Sequence, residues 1–397
     1  MAQSLDIPGN AKLSEPVTQI LPDTIAARRH LHAHPELGFE EHETAAYITQ
    51  SLETAGLTPN RVLDTGVTTL LDTGRPGKTL MVRADIDALP IIEAGDVEYI
   101  SKNEGVMHAC GHDGHAAIGL SAVRITQQQL DQLNGRAFFV FQPAEETIGA
   151  KTMIDTGFLD AVNPDNAVGL HIWNQTPIGK VGVTTGPCMA AVDKLHITIK
   201  GVGGHAAIPD ETSDAIVIAS QVISALQQVV SRNVSPLDAA VVTIGSINGG
   251  RGFNIIADEV RLEGTIRTYK PEVQDRVHAR VHQLVESIAK GLEGEGIVSI
   301  EKTCPPLVND ADMAEMVREV AAEIVGADNL IHDEQTMGGE DMAFFMNRIP
   351  GCYFFVGAGN EAKGLSYPHH HPKFDFDEAA LGIGLEIMTG VIRKYLG

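Results

Sequence analysis

This chain of 397 residues is short of several things, and each shortage excludes something. Cysteine occurs at only four positions, Cys110, Cys188, Cys304 and Cys352, too scattered for a disulfide framework. Reduced thiols and a reducing, cytoplasmic setting are therefore expected. Positive charge is scarce as well: 29 Lys and Arg face 52 Asp and Glu, a net −23. That balance argues against nucleic acid or an anionic membrane surface as a partner, while leaving a small anionic substrate open. No apolar run reads as long enough to cross a bilayer, and residues 1–23 lack a signal core. Internal repeats and low-complexity stretches are missing too. What remains, 43% hydrophobic residues and 40 glycines, describes a globular chain too long for one ordinary core. Two domains are expected.

Residues 1–20 read as a loose lead-in, 24–34 as a helix stopped by Pro35, and 41–54 as a second helix ended by Gly56. Short strands are expected at 67–71 and 78–83, the latter running into Ala84-Asp85-Ile86-Asp87-Ala88-Leu89-Pro90. A helix at 116–130 precedes a strand at 136–141 that ends in Gln142-Pro143-Ala144-Glu145-Glu146. A strand at 168–170 leads into His171. Three strand ends thus carry metal-type side chains: Asp87, Glu145/Glu146 and His171. Strands alternating with helices imply a mixed, largely parallel α/β sheet whose carboxyl ends share one edge.

From 188 the organisation changes. A strand at 194–199, a helix at 213–230, strands at 239–247 and 259–267, a helix at 271–292 and a strand at 297–303 give the order βαββαβ. This places an inserted domain at 188–302 between the two parts, 1–187 and 303–397, of the first. The first domain resumes with helices at 312–325 and 377–395 and a strand at 352–356. Another helix is expected to open in Met337-Gly338-Gly339-Glu340-Asp341.

One loop concentrates the chemistry, Met107-His108-Ala109-Cys110-Gly111-His112-Asp113-Gly114-His115. A thiolate and an imidazole two positions apart reach one cation because the intervening glycine lets the backbone turn tightly. Adjacent Glu145 and Glu146 are the second signal. At a strand's mouth one carboxylate binds metal while its neighbour takes a proton from a water whose pKa the metal lowers. His171 and one of His369, His370 and His371 add imidazoles. With Cys110, His112 and Glu146 these exceed what one structural zinc needs, and they lack zinc-finger spacing. Two divalent cations fit better, and the donors suit Mn, Zn, Co or Ni.

Asp87 is expected to support a ligand from behind. In the inserted domain, Gly201-Val202-Gly203-Gly204-His205 lacks the Lys-Ser/Thr of a phosphate loop. His205 is a candidate for stabilising an oxyanion, on a domain that a hinge would close over the metal edge. Asn254 and Arg267 are candidates for holding a substrate carboxylate; a solvent-facing place in its strand suits Arg267 equally.

Taken together, these positions resemble the metal-dependent amidohydrolases of the M20 peptidase family, in the branch of hippurate hydrolases, N-acyl-amino-acid amidohydrolases and auxin-conjugate hydrolases. The resemblance runs nearly end to end. It includes Arg28-Arg29-His30-Leu31-His32 with His34-Pro35-Glu36, residues 83–90, His108 to His115, and 142–146. Gly203-Gly204-His205-Ala206-Ala207-Ile208-Pro209, Gly338-Gly339-Glu340-Asp341 and His370-His371-Pro372-Lys373-Phe374-Asp375-Phe376 complete it.

The resemblance implies a zinc-exopeptidase-like catalytic domain and a ferredoxin-like lid. It also implies that Cys110, His112, Glu146, His171 and His370 bind two metals. His370 is preferred to its neighbours because the branch places the ligand two residues before the proline. Glu145 is then the general base and proton shuttle, and His205 the oxyanion group. A homodimer, or a higher homo-oligomer, through the lid is implied, sometimes with the lid histidine serving the partner's site.

Two departures stand out. Asp85-Ile86-Asp87 replaces the wider family's His-x-Asp, so the Cys-x-His loop must supply ligands. Gly339 stands where serine is usual. The implied reaction is hydrolysis of the amide bond in a small-molecule N-acyl amino acid, with acetyl, benzoyl or related acyl groups, to a carboxylic acid and an amino acid. A carboxypeptidase or dipeptidase is the neighbouring alternative. A metal-binding regulatory protein without turnover is the alternative of another class, although mere binding has no use for Glu145.

Overall fold

The computed structural model describes residues 11–397, which divide into two compact units. The first comprises the chain up to Gly186, Val308–Glu334 and Asp341–Gly397; the second comprises Pro187–Leu307 and Gln335–Glu340. The expected boundaries therefore move outward by a few residues. The segment Gln335–Glu340 changes sides because its backbone joins the second unit, Thr336 N–H donating to Cys188 O and Ala190 N–H to Gly338 O.

The first unit is built on one mixed sheet of eight strands. In chain order these are β1 Asn60–Val62, β2 Gly66–Asp72, β3 Thr79–Asp85, β4 Arg136–Gln142, β5 Asn166–Pro177, β6 Val181–Gly182, β7 Leu330–Ile331 and β8 Gly351–Gly359. They lie side by side as β1-β2-β4-β3-β5-β8-β6-β7. The central four, β4, β3, β5 and β8, run parallel. Their sequences are near-continuous apolar runs, as in β4 (Arg-Ala-Phe-Phe-Val-Phe-Gln) and β8, because helices cover both faces. Helices α1 Glu15–Ala33, α2 His42–Thr54, α3 His112–Gln128, α4 Ala311–Val325 and α5 Ala379–Leu396 do the covering. α3 and α5 are buried almost along their whole length.

Three expectations need correction here. α1 starts at Glu15, not near 24, with Pro16 in its first turn, where a missing N–H costs nothing; residues 1–10 of the expected lead-in lie outside the described residues. α3 starts at His112 itself, since Gly111 at φ 90° turns the chain directly into the helix without a side-chain cap. His171 is not at a strand end: β5 continues to Pro177, and His171 pairs in register with Phe355 of β8.

The second unit is a four-stranded antiparallel sheet in the order 240–249, 259–268, 191–200, 295–304. Helices Ala215–Gln228 and Pro271–Gly291 pack on it through Ile218, Val222, Leu226, Val277, Val281 and Val285. This is the expected βαββαβ order. One apolar stretch does reach spanning length, contrary to expectation: the 19-residue Ala215–Asn233 contains a window of mean hydropathy 1.2. Its Ala215, Ile218, Ala219, Val222, Leu226 and Val229 face are buried in the unit's core. The expected helix opening at 337–341 is instead a five-residue turn of helix at Met342–Met346. Gly339 has a physical reason: a Cβ there would lie 2.3 Å from Val192 Cγ2, so a serine does not fit beside this valine.

Candidate metal centre

The turn after β4, the middle of β5, the start of α3 and the loop after β8 bring the five predicted ligands together. The ligating atoms of Cys110, His112 and Glu146 all lie within 4.8 Å of one another. Cys110 Sγ is 3.6 Å from His171 Nε2, and His370 Nε2 is 3.3 Å from Glu146 Oε1. His370 is held at φ 64°, with its N–H donating to Ala109 O at 2.8 Å, so its loop is stitched to the one carrying Cys110.

Both buried imidazoles are oriented from behind. His112 Nδ1–H donates to Asp87, to the backbone O at 3.0 Å and Oδ1 at 3.1 Å, leaving Nε2 buried without a hydrogen-bond partner. His171 Nδ1–H donates to Ile172 O at 2.7 Å, which turns Nε2 toward Cys110. Fixing one ring nitrogen so that the other presents a lone pair is the arrangement of a metal-ligating histidine. Asp87 does this twice over, since its Oδ2 also accepts from Glu146 N–H at 3.0 Å. Burial, then His115 and His369, hold His171 well below the ordinary imidazole pKa, hence neutral. Burial, then Glu146, push the Cys110 thiol up to about 12. An orphaned buried nitrogen, a neutral imidazole and a thiol that only a cation would deprotonate fit a divalent cation pair.

Of two other histidines nearby, His115 has both ring nitrogens bonded, whereas His369 has one bonded and its Nδ1 buried without a partner. His115 Nδ1–H donates to Asp85 at 2.6 Å and its Nε2 accepts from Ile172 N–H at 2.8 Å. His369 groups with Cys110 and His171, but its Nε2 accepts from Asn174 N–H at 3.3 Å and its ring stacks on Trp173. Asp85 bonds Arg83 at 2.6 Å, so it supports the sheet edge.

Glu145 and Glu146 leave β4 through a strained turn, Ala144 sitting at φ 59°, ψ 40°, a left-handed conformation that costs a residue with a Cβ roughly 1 kcal/mol. The two carboxylates reach different partners. Glu146 meets the ligand cluster, whereas Glu145 Oε1 accepts from Asp341 N–H at 3.2 Å. Asp341 is one residue the sequence reading passed over. Its carboxylate is fixed by Arg83 at 3.1 Å, Gln142 at 2.7 Å and Ala150 N–H at 2.8 Å, all buried. The Gly-Gly-Glu-Asp motif was its only signal. Arg28 is another: fully buried, it bonds Asp113, next to His112, at 2.8 Å and Asp375 at 2.6 Å.

His205, Asn254 and Arg267 belong to the second unit. His205 is exposed on a short strand paired with Ile255, and Asn254 O accepts from Ala206 N–H at 3.1 Å. Arg267 is half-buried, with its Nε–H donating to Thr265 at 3.0 Å.

A sheet edge that gathers thiol, imidazole and carboxylate donors beside a second carboxylate is that of a cation-dependent hydrolase of mixed α/β architecture. The chain belongs to the Peptidase family M20/M25/M40, which it matches over residues 81–394. It is 41% identical over 359 residues to an N-acetyl-L-cysteine deacetylase of Bacillus subtilis, covering 90% of this chain and 84% of that one. It is 38% identical over 375 residues to an N-acetyldiaminopimelate deacetylase of Bacillus cytotoxicus, covering 93% and 97%. Among solved structures, the Bacillus subtilis YXEP protein, described as a dinuclear metal-binding peptidase from the M20 family, superposes with a TM-score of 0.84. That pair is 34% identical over 96% of this chain and 99% of the other.

Proposed function

We propose that this protein is a metal-dependent amidohydrolase that cleaves the amide bond of N-acyl amino acids. The observation that carries the reading is the pair Glu145–Glu146: one carboxylate sits with Cys110, His112 and His370, and the adjacent one outside that group accepts a backbone N–H. Relatives named as N-acetyl amino acid deacetylases support the substrate class.

Cys110, His112, Glu146, His171 and His370 are the proposed holders of two divalent cations, which supply a Lewis acid and a water of lowered pKa. Glu145 takes the proton of the attacking water and hands it to the amine nitrogen as the C–N bond breaks and the C–O bond forms. The products are a carboxylic acid and an amino acid. Asp87 keeps His112 and Glu146 in place. For the second unit we propose that His205 stabilises the oxyanion and that Asn254 and Arg267 bind the amino acid's carboxylate. A reducing compartment, such as the cytoplasm, belongs to the proposal because Cys110 must remain a thiol to ligate.

The test is an acyl panel. Protein loaded with Mn, Zn, Co or Ni is assayed on acetyl, benzoyl, indole-acetyl and longer acyl amino acids, with free dipeptides alongside. Turnover of acyl amino acids is expected, with His205→Ala lowering kcat and Arg267→Ala raising KM. Release from free peptides alone would make the protein a carboxypeptidase or dipeptidase, and a metal-loaded but inert preparation would refute the reading. We also propose a homodimer through the second unit, whose 240–249 strand is a sheet edge with Ile247 exposed. Light scattering at micromolar concentration checks it; a monomer there would rule the dimer out.

A further inference from the structure

Glu41 is a buried acid with no role in the chemistry above. It immediately precedes α2, the position from which a side chain ordinarily caps its own helix, yet it makes no capping bond. Glu36 does that work instead, accepting from Glu43 N–H at 3.0 Å and Thr44 N–H at 2.8 Å. Glu41 is turned inward, 0% exposed, and its Oε1 accepts the N–H of Ala144 at 2.7 Å, across 103 positions of sequence.

Ala144 is the residue that adopts the left-handed turn presenting Glu145 and Glu146. Its carbonyl is gripped too, by Gly149 N–H at 2.7 Å and Thr147 N–H at 3.1 Å. The loop leading to Glu41 is fitted to the same turn. A Cβ on Gly38 would stand 2.8 Å from Thr147 Oγ1 and 3.1 Å from Ala144 Cβ. The residue in the strained turn is therefore anchored at both ends of its own backbone, at the N–H by Glu41 and at the carbonyl by Gly149 and Thr147.

Resting on the roles proposed for Glu145 and Glu146, we infer that Glu41 is a positioning residue: it clamps the Ala144 turn from behind and so fixes the directions of both carboxylates. Keeping it there works against the fold. Burial, opposed chiefly by its own backbone N–H and reinforced by Asp87, pushes Glu41 up to about 7, and its Oε2 is buried without a partner. An acid sealed from water that caps no helix is instead bonded to the turn, through Ala144 N–H.

The experiment compares wild type with Glu41→Ala and Glu41→Gln by three readouts: backbone hydrogen exchange of the 143–149 peptide, metal content, and kcat with KM on the best acyl amino acid. Glu41→Ala is expected to raise exchange in that peptide about 10-fold or more and to lower kcat by about 10- to 100-fold, as small displacements of reacting groups do, with KM within about 3-fold. Glu41→Gln keeps an oxygen for Ala144 N–H and is expected to fall between wild type and Glu41→Ala. A folded Glu41→Ala with unchanged exchange and kcat would overturn the inference, as would Glu41→Gln matching Glu41→Ala in every readout. Where Glu41→Ala does not fold, faster exchange in Glu41→Gln than in wild type supports the clamp and unchanged exchange overturns it. A wild type that hydrolyses no acyl amino acid sinks the proposed function, yet hydrogen exchange still reports on the clamp.

Discussion

Glu145→Gln is expected to lower kcat by about 10²-fold or more while both cations stay bound, because a positioned base contributes 10²–10⁴-fold and an amide cannot take a proton. The substitution is nearly isosteric. Its carboxamide oxygen still accepts from Asp341 N–H, the 3.2 Å bond that places the carboxylate, so the turn at Ala144 has no reason to move. The Cys110–His112–Glu146 cluster does not include residue 145, and metal content by mass spectrometry should equal that of wild type. KM should change little, since the lost interaction belongs to the transition state. Loss of a cation from Glu145→Gln would mean that Glu145 is a ligand. Retained kcat with full metal would mean that another group moves the proton. Either result refutes the division of labour between the two glutamates.

That both glutamates emerge at one sheet edge was readable in the sequence, and the reason is local. Two acids directly after a run such as Phe138-Phe139-Val140-Phe141 have to emerge at a strand's carboxyl end, where parallel sheets collect functional groups. The Cys-Gly-His spacing was legible for the same kind of reason. His171 was placed correctly in the cluster for an incomplete reason: the strand was thought to end there, whereas it runs on beside β8. The start of α3 was misjudged because the one cap-type side chain there, Asp113, is bonded to Arg28 and His32 and caps nothing. Glycine's positive φ replaces a side-chain cap, and that is invisible until the backbone is traced. Asp341 and Glu41 were missed for the opposite reason. Each acts on the turn at 144–145 from 100 or more positions away, through a hydrogen bond to or from a backbone N–H. Periodicity and motif spacing carry no record of such contacts; only the folded register does.

Cys110→Ala should have the second large effect, and it separates the metal centre from the proton transfer. Cys110 stands in contact with both halves of the cluster, 3.6 Å from His171 Nε2 and in one ligand group with His112 and Glu146. Removing it leaves oxygen and nitrogen donors only. Outer partners of metal ligands are already worth 10–100-fold in affinity, so loss of the ligand itself should weaken at least one cation by more than about 100-fold and abolish turnover with it. Competition with a chelator, read by mass spectrometry, measures this directly. Cys110→Ser is expected to bind weakly as well, with preference moved from Zn toward Mn, because the soft donor is gone. The helix should survive either change, since Gly111 turns the chain and α3 is held by its own burial and by the Arg28–Asp113 bond. Circular dichroism equal to wild type, with fewer than two cations per chain, is therefore the expected pair of results. Two cations held by Cys110→Ala with wild-type affinity would show that the thiol is a bystander and that the ligand set has to be drawn without it.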